Sequence, residues 1–209
     1  MQLSSRVPYQ PPWVPRAVDA ATAGLVLLAG DGEAAGASGG TEHESVDPSR
    51  KGFAIQASGD GWSADTALAF EFGALATAAQ LVGAAQGMLD AAVAYAKQRS
   101  QFGTVIGTYQ AIKHKLADVL IAVELARPLV YGAALSLADR SPDTARDVSA
   151  AKVAAADAAL VSARSALQTH GAIGFTAEHD LSLQLLRVQA LRPAWGDPTW
   201  HRRRVLEAL

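Results

Sequence analysis

The sequence predicts a mainly α protein, an antiparallel four-helix bundle behind a small N-terminal β portion, and three observations carry the prediction. Leu68, Phe72, Leu75, Ala79, Val82, Gln86, Leu89, Val93 and Ala96 recur at alternating spacings of four and three, an apolar stripe broken only by Gln86. Ile112, Leu116, Val119, Val123, Ala126 and Val130 resume the pattern after Gly103 and Gly107. Ala154, Ala155, Ala156, Ala158 and Ala159 give a third segment a smooth surface on which neighbours pack closely. The division expected is 1–62 as an extended arm and partial β-domain and 63–209 as the helical bundle domain.

Pro8, Pro11, Pro12 and Pro15 forbid both helix interior and central strand, so Met1–Pro15 reads as an extended arm. Thr22–Ala29 is short, apolar and bounded by Gly30 and Asp31, which suits a buried strand, and a second strand is expected near Gly52–Ala57. Gly30–Gly40, rich in Gly, Ala and Ser, reads as a mobile loop. Asp47-Pro48 and Gly59-Asp60-Gly61 mark turns, after which Ser63 or Asp65 caps the first helix. The second helix runs from about Tyr109 to Ala138 with Pro128 inside it as a kink. Ser141 and Pro142 suit the cap and first residue of a third helix reaching about His170. A fourth spans about Leu181 to Arg192 and is stopped by Pro193.

The chain has 209 residues, a formal net charge of -2, 50% hydrophobic residues and no cysteine. Near-balanced charge gives no basic field for nucleic acid or an anionic membrane, and without cysteine there is neither a disulfide framework nor a thiolate nucleophile. No metal site is assigned. No leader is seen, and no stretch reads as long and apolar enough to span a bilayer, so a cytoplasmic protein is expected.

Arg99-Ser100-Gln101-Phe102-Gly103 lies between the two striped helices, at the end of the bundle, where its side chains can face something other than core. Arg99 offers a permanent charge and a planar fork of donors, Gln101 an amide and Phe102 a flat apolar face, a set that fits a nucleotide diphosphate. The alternative is structural: Arg99 capping the last carbonyls of its helix and Phe102 anchoring the turn. Gln168-Thr169-His170-Gly171-Ala172-Ile173-Gly174-Phe175 ends the third helix, and its glycines allow positive φ and close approach to a ligand as well as simple helix termination. Two other matches fail on context. Gly30-Asp31-Gly32-Glu33-Ala34-Ala35 fits a dinucleotide-binding fingerprint but has no helix to open after it. Gly36-Ala37-Ser38-Gly39-Gly40 fits a nucleophile elbow but lacks the strand and helix around it.

Arg99–Gly103, then Tyr109-Gln110-Ala111-Ile112-Lys113-His114-Lys115-Leu116-Ala117-Asp118, then Gln168–Phe175, resemble in order and spacing the C-terminal helical domain of the acyl-CoA dehydrogenases, from about Leu68 onward. Thr22–Ala29 and Ser45-Val46-Asp47-Pro48-Ser49-Arg50 further resemble the later part of that family's β-domain. The resemblance implies FAD-dependent formation of an α,β-double bond in an acyl-CoA thioester, a carboxylate taking the α-proton and flavin the β-hydride. It also implies that the two motifs reach across a dimer interface to the neighbour's FAD, which carried over by position means Arg99, Gln101, Phe102, Gln110, Gln168 and Gly171.

The chain departs from that pattern. The family's base is usually a Glu followed by Gly before the last helix, and in Ala194-Trp195-Gly196-Asp197-Pro198 the position is held by Trp195, whose indole cannot abstract a proton. An alternative Glu position on the first helix falls near Gly73 and Ala74, and Glu71 is about 200° away around the helix, suited to a role at the helix start. Asp197 and His201 are weak substitutes, and Ala172 replaces the second glycine of the usual pair. The family's N-terminal helical domain and the first part of its β-domain have no counterpart in this sequence.

The expectation is therefore a truncated, non-catalytic subunit that shares FAD across an interface with an acyl-CoA dehydrogenase partner, homo- or hetero-oligomeric, and meets acyl-CoA through it. The alternative is a structural or oligomerisation module that no longer binds flavin. An independent enzyme using Asp197 or Glu71 is disfavoured, because the chain alone has no enclosure to tune such a base. The run His201-Arg202-Arg203-Arg204 suits CoA phosphates or, as expected here, its helix's C-terminus.

Overall fold

The computed structural model describes residues 16–30 and 32–209, so the proline-rich arm expected at Met1–Pro15 lies outside the described residues. The chain forms two compact units, Met1–Ala74 and Leu75–Leu209.

In the first unit, strands β1 (Arg16–Val18), β2 (Leu27–Gly30), β3 (Glu33–His43) and β4 (Gly52–Ala57) form an antiparallel sheet in the order β1-β4-β3-β2, with β5 (Trp62–Ser63) also on β3. Its buried centre is Ala17, Val26 and Ile55, with Ala20, Leu28 and Ala37 packed against it. Strand β4 lies where the sequence placed it, whereas β2 covers only the end of the expected Thr22–Ala29 strand, and Leu25 is exposed. The larger correction is Gly30–Gly40, expected as a loop, which turns from β2 into β3, the longest strand of the sheet. Small residues suit it because β3 is paired on both sides and takes its order from backbone hydrogen bonds. A Cβ on Gly40 would stand 3.1 Å from the Ala54 carbonyl oxygen, so bulk there would push the strands apart. Both rejected motifs lie here: Glu33–Ala35 is strand instead of helix, and Ser38 sits mid-strand opposite Gln56. The Asp47-Pro48 turn is built by Asp47, whose carboxylate accepts from the Ser49 N–H (3.0 Å) and hydroxyl (2.8 Å).

Helix α1 (Thr66–Gln98) is capped by Asp65, whose carboxylate accepts from the Leu68 N–H at 2.9 Å. Glu71 therefore lies beyond the first turn of α1 and is buried, so the role expected for it at the helix start does not hold. In the second unit, α1 is followed by a hairpin of β6 (Ser100–Gln101) and β7 (Thr104–Val105), then α2 (Gln110–Ala138), α3 (Thr144–His170), α4 (Leu181–Leu191) and α5 (Pro198–Glu207). Helix α3 starts later than expected, because Ser141 and Pro142 form a turn in which the Ser141 hydroxyl accepts from the Asp143 N–H.

Helix α3 is the centre of the unit, packing against α2, α4 and α5, and its Ser162 hydroxyl donates to the Ala85 carbonyl of α1 at 2.7 Å. Ala151, Ala155, Ala156 and Ala159 on it are fully buried. The buried stripe of α2, Leu116, Val119, Val123, Ala126 and Val130, is the expected one, with Ile112 only half-buried. That of α1 is met in part: Val82, Leu89 and Ala96 of the expected stripe are buried, but Ala78, Leu81, Ala85, Met88 and Ala92 are buried beside them, while Phe72 and Ala79 are exposed. The buried face of α1 is thus wider than one stripe and combines the small Ala78, Ala85 and Ala92 with the large Leu81 and Met88. The membrane expectation also needs correction. By length and composition α1 and α2 are both apolar enough to cross a bilayer, their alanine and leucine content raising hydropathy above what the charged residues offset.

Enlarging the α3 surface tests this packing. Ala159→Leu should lower stability by about 1–3 kcal/mol through overpacking, whereas Gly83→Ala, exposed on α1 with open space around it, should raise it by about 0.5–1 kcal/mol. Urea midpoints measure both. Equal effects of the two would contradict the packing described.

Candidate functional site

The hairpin after α1 turns at Phe102 (φ 53°) and Gly103 (φ 81°), with Gln101 opposite Thr104. Two consecutive left-handed residues make the tight turn that fits the strand twist, a conformation Gly adopts freely and Phe does not. Phe102 is nevertheless 94% exposed, so the strain is not offset by burial within this chain. The Ile106 N–H donates to the Arg99 carbonyl at 2.8 Å, closing the hairpin, and the Tyr109 hydroxyl donates to the Gln101 carbonyl at 3.1 Å. The Arg99 side chain is exposed and its guanidinium has no hydrogen bond or ion pair among the described residues. Among the described residues the Arg99 side chain makes no capping bond to its helix, and Phe102 is exposed at the turn.

Gln110 is exposed at the first residue of α2. One turn further along α2, Lys115 donates from its ammonium to the side-chain oxygen of Gln168, in the last turn of α3. Gly171 ends α3 at φ 64°, ψ -139°, a region reserved for glycine. Behind it the His170 ring is buried, stacks on Tyr95 of α1 with centroids 4.5 Å apart, and meets His179 edge-on at 4.9 Å. Burial holds His170 below its ordinary pKa, and its Nδ1–H donates to the Ala166 carbonyl at 2.8 Å. Tyr95 stands one turn before Arg99 and His170 precedes Gly171, so these contacts bring the Arg99 hairpin, Gln110 and the Gln168–Gly171 turn to one end of the bundle. Ile173 and Phe175 continue that end as exposed apolar groups, and Ala172 is exposed beside Gly171.

Sequence reasoning named the outward residues and missed the supports Tyr95, Tyr109, Lys115 and His170. For Tyr95 and His170 the available signal was weak: polar-tipped aromatic residues in the last turns of two helices, where a ring can pack and a heteroatom still find a carbonyl.

The loop before α5 is a different environment. Trp195 holds φ 59°, and its carbonyl accepts from His201 Nε2 at 2.9 Å, while His201 Nδ1 lies 3.0 Å from the Ser149 hydroxyl. Asp197 caps α5, accepting from the Thr199 and Trp200 N–H groups at 2.7 and 2.9 Å. Lys152, fully buried on α3, donates to the Arg192 and Gly196 carbonyls at 2.8 and 3.3 Å. Asp197 and His201 are thus committed to holding the loop and are not poised as bases. The basic run is likewise divided: Arg202 pairs with Asp157 at 2.6 Å, Arg204 lies over the Trp200 ring, and of these two only Arg204 is in the last turn of α5.

Residues 59–209 match the family described as acyl-CoA dehydrogenase, C-terminal domain. The chain is similar to the probable acyl-CoA dehydrogenase FadE25 of Mycobacterium tuberculosis, 45% identical over 100 residues that cover 48% of this chain and 26% of that protein. It is similar to the acyl-CoA dehydrogenase IpdE2 of Mycolicibacterium smegmatis, 39% identical over 132 residues, 63% of this chain and 40% of that one. Among solved structures, butyryl-CoA dehydrogenase from Megasphaera elsdenii aligns with a TM-score of 0.76 and 25% identity, covering 84% of this chain and 51% of that chain. A chain of the ChsE4–ChsE5 complex from Mycobacterium tuberculosis aligns with a TM-score of 0.75 and 25% identity, covering 88% and 54%. The matched region is thus well under half of these curated relatives and about half of these solved chains.

The buried bases behind Trp195 give a pH signature. Burial pushes His201 down to about 4 and Lys152 down to about 8. In both cases the unfolded chain binds more protons, so stability rises with pH, between about 4 and 6.5 for His201 and between about 8 and 10.5 for Lys152. Lowering the pH from 7 to 4.5 should cost roughly 2 kcal/mol through His201 alone, read from urea unfolding. His201→Gln should remove that part of the slope, and an unchanged slope would contradict the assignment.

Proposed function

The chain belongs to the acyl-CoA dehydrogenase family, of which it holds the C-terminal helical domain and a small curled β-sheet, and on that premise we propose that it is a non-catalytic subunit completing an FAD site on a partner of the same family. The observation that carries the reading is the Arg99 hairpin: a guanidinium without a partner among the described residues, beside an exposed phenylalanine held at positive φ. Such a strained and solvated pair is what a surface covering a nucleotide would present.

The residues at that end suit FAD. Arg99 can meet a diphosphate with its planar fork, and Gln101, Gln110 and the amide N–H₂ of Gln168 can serve its remaining oxygens or a ribose. Gly171 presents bare backbone, and Phe102 a face for a flat ring. Bound FAD supplies the hydride acceptor for forming an α,β-double bond in an acyl-CoA thioester. This chain's part is binding and orientation, with the α-proton left to a carboxylate of the partner, since Trp195 stands where one would be needed and Asp197 is a helix cap. That one similar structure is a complex of two differently named chains favours a hetero-oligomer.

The chain should be purified alone and together with a full-length acyl-CoA dehydrogenase partner, and the visible flavin absorbance of each recorded. Flavin is expected in the complex, with Arg99→Ala weakening its retention about tenfold or more, as loss of a charge-assisted bidentate contact does. A complex that retains flavin equally in the variant would contradict the role given to Arg99. A stable complex without flavin would favour the structural-module reading.

A further inference from the structure

Helix α2 buries the face that carries Leu116, Val119, Val123, Ala126 and Val130 and leaves the opposite face bare. Along the bare face run His114, Ala117, Ile121, Leu125, Pro128, Gly132, Leu135 and Asp139, all exposed and spaced three and four apart. Ile121, Leu125 and Leu135 are 56, 67 and 67% exposed, which makes the stripe a continuous apolar patch of the kind that marks an interaction surface. We propose that it pairs with the same stripe of a second copy of the chain, the two α2 helices lying antiparallel about a two-fold axis. The reading is independent of the flavin surface.

The stripe is its own complement when reversed. With the axis level with the Ala126–Arg127 peptide, Leu125 stands opposite the second copy's Pro128 and Ile121 opposite its Gly132, while Ala117 falls within one residue of its Leu135. Bulky groups thus meet small ones along the seam, which lets the helices approach. A side chain placed on Gly132 would find nothing within 4 Å in this chain, so the space that Ile121 of the second copy needs is open. The charge also matches, since each end of the seam sets the His114 imidazole opposite the second copy's Asp139 carboxylate. Glu124, at the border of the stripe, is already paired with Arg127 at 3.3 Å. A parallel pair would set Ile121 on Ile121 and Asp139 on Asp139 and lose both matches. A bilayer would cover the same apolar groups, but it would take in the Glu124–Arg127 pair at the middle of α2 and gives no reason for the matching of large to small. Gln110 lies about 25 Å along α2 from the axis, so the two hairpin poles stand about 50 Å apart at opposite ends, and pairing through α2 leaves both uncovered.

The test is sedimentation of the full chain by analytical ultracentrifugation between about 1 and 200 µM. The parent should be dimeric at the upper end. Leu125→Glu, checked for folding by circular dichroism, should weaken the dimer about tenfold or more, whereas Leu206→Glu, on the equally exposed end of α5, should leave it unchanged. The chain has no cysteine, so Ile121→Cys and Gly132→Cys report the register. Mixed and oxidised, these two variants should cross-link to each other and neither to itself, since like sites lie about 16 Å apart in this register. A chain that is monomeric at every concentration would overturn the proposal, including one that floats with phosphatidylcholine vesicles instead. A dimer indifferent to Leu125→Glu, or cross-linking of either cysteine variant with itself alone, would overturn it equally.

Discussion

Close approach of helices to α3 is the constraint on which the rest of the second unit depends. Its buried alanines leave no side chain to hold neighbours off, so α1, α2, α4 and α5 can all reach it, and a single helix serves as their common wall. Because α1, α2 and α3 alternate in direction, the end of α1, the start of α2 and the end of α3 come to the same pole. Tyr95 on His170 and Lys115 on Gln168 are the contacts that fasten that pole. They fix the geometry of the Arg99 hairpin and the Gly171 turn and use, of the outward groups, only the amide oxygen of Gln168.

The two ends of the unit obey opposite rules. At the hairpin pole Arg99, Gln101 and Gln110 are exposed and Arg99 has no partner among the described residues, while Phe102 holds a strained backbone without burial. Around Trp195 the ionisable groups are buried and committed: His201 to a hydroxyl and a carbonyl, Lys152 to two carbonyls, Asp197 to a helix end. A surface that waits for a ligand and a loop that is locked in place are told apart by where the hydrogen bonds go.

Much of this was legible in the sequence, and the failures have physical causes. The 3.6-residue period gave the helices, and the stripe of α2 was right because its large residues are the inward ones. On α1 the same rule chose Val82, Leu89 and Ala96 rightly and Phe72 wrongly, and it passed over Leu81, Ala85, Met88 and Ala92, because a single stripe does not describe a helix buried over a wider face. Strand β3 was read as a loop because Gly, Ala and Ser carry little strand preference, and its order comes from pairing with β2 and β4 that a local window does not contain. Arg99, Gln101 and Phe102 were read from their chemistry at a helix end, whereas Gln110, Gln168 and Gly171 were named through the family resemblance. The supports were missed because Tyr95 on His170 and Lys115 on Gln168 join residues distant in sequence.

Hydrogen–deuterium exchange on the complex of this chain with a flavin-bearing partner addresses the central claim, that the hairpin and the Gly171 turn form one surface against FAD. Amides in residues 99–103 and 168–175 should become protected together when FAD is bound by the complex, beyond any protection from the partner without flavin. Protection of only one segment, or of both to the same extent without flavin, would contradict it.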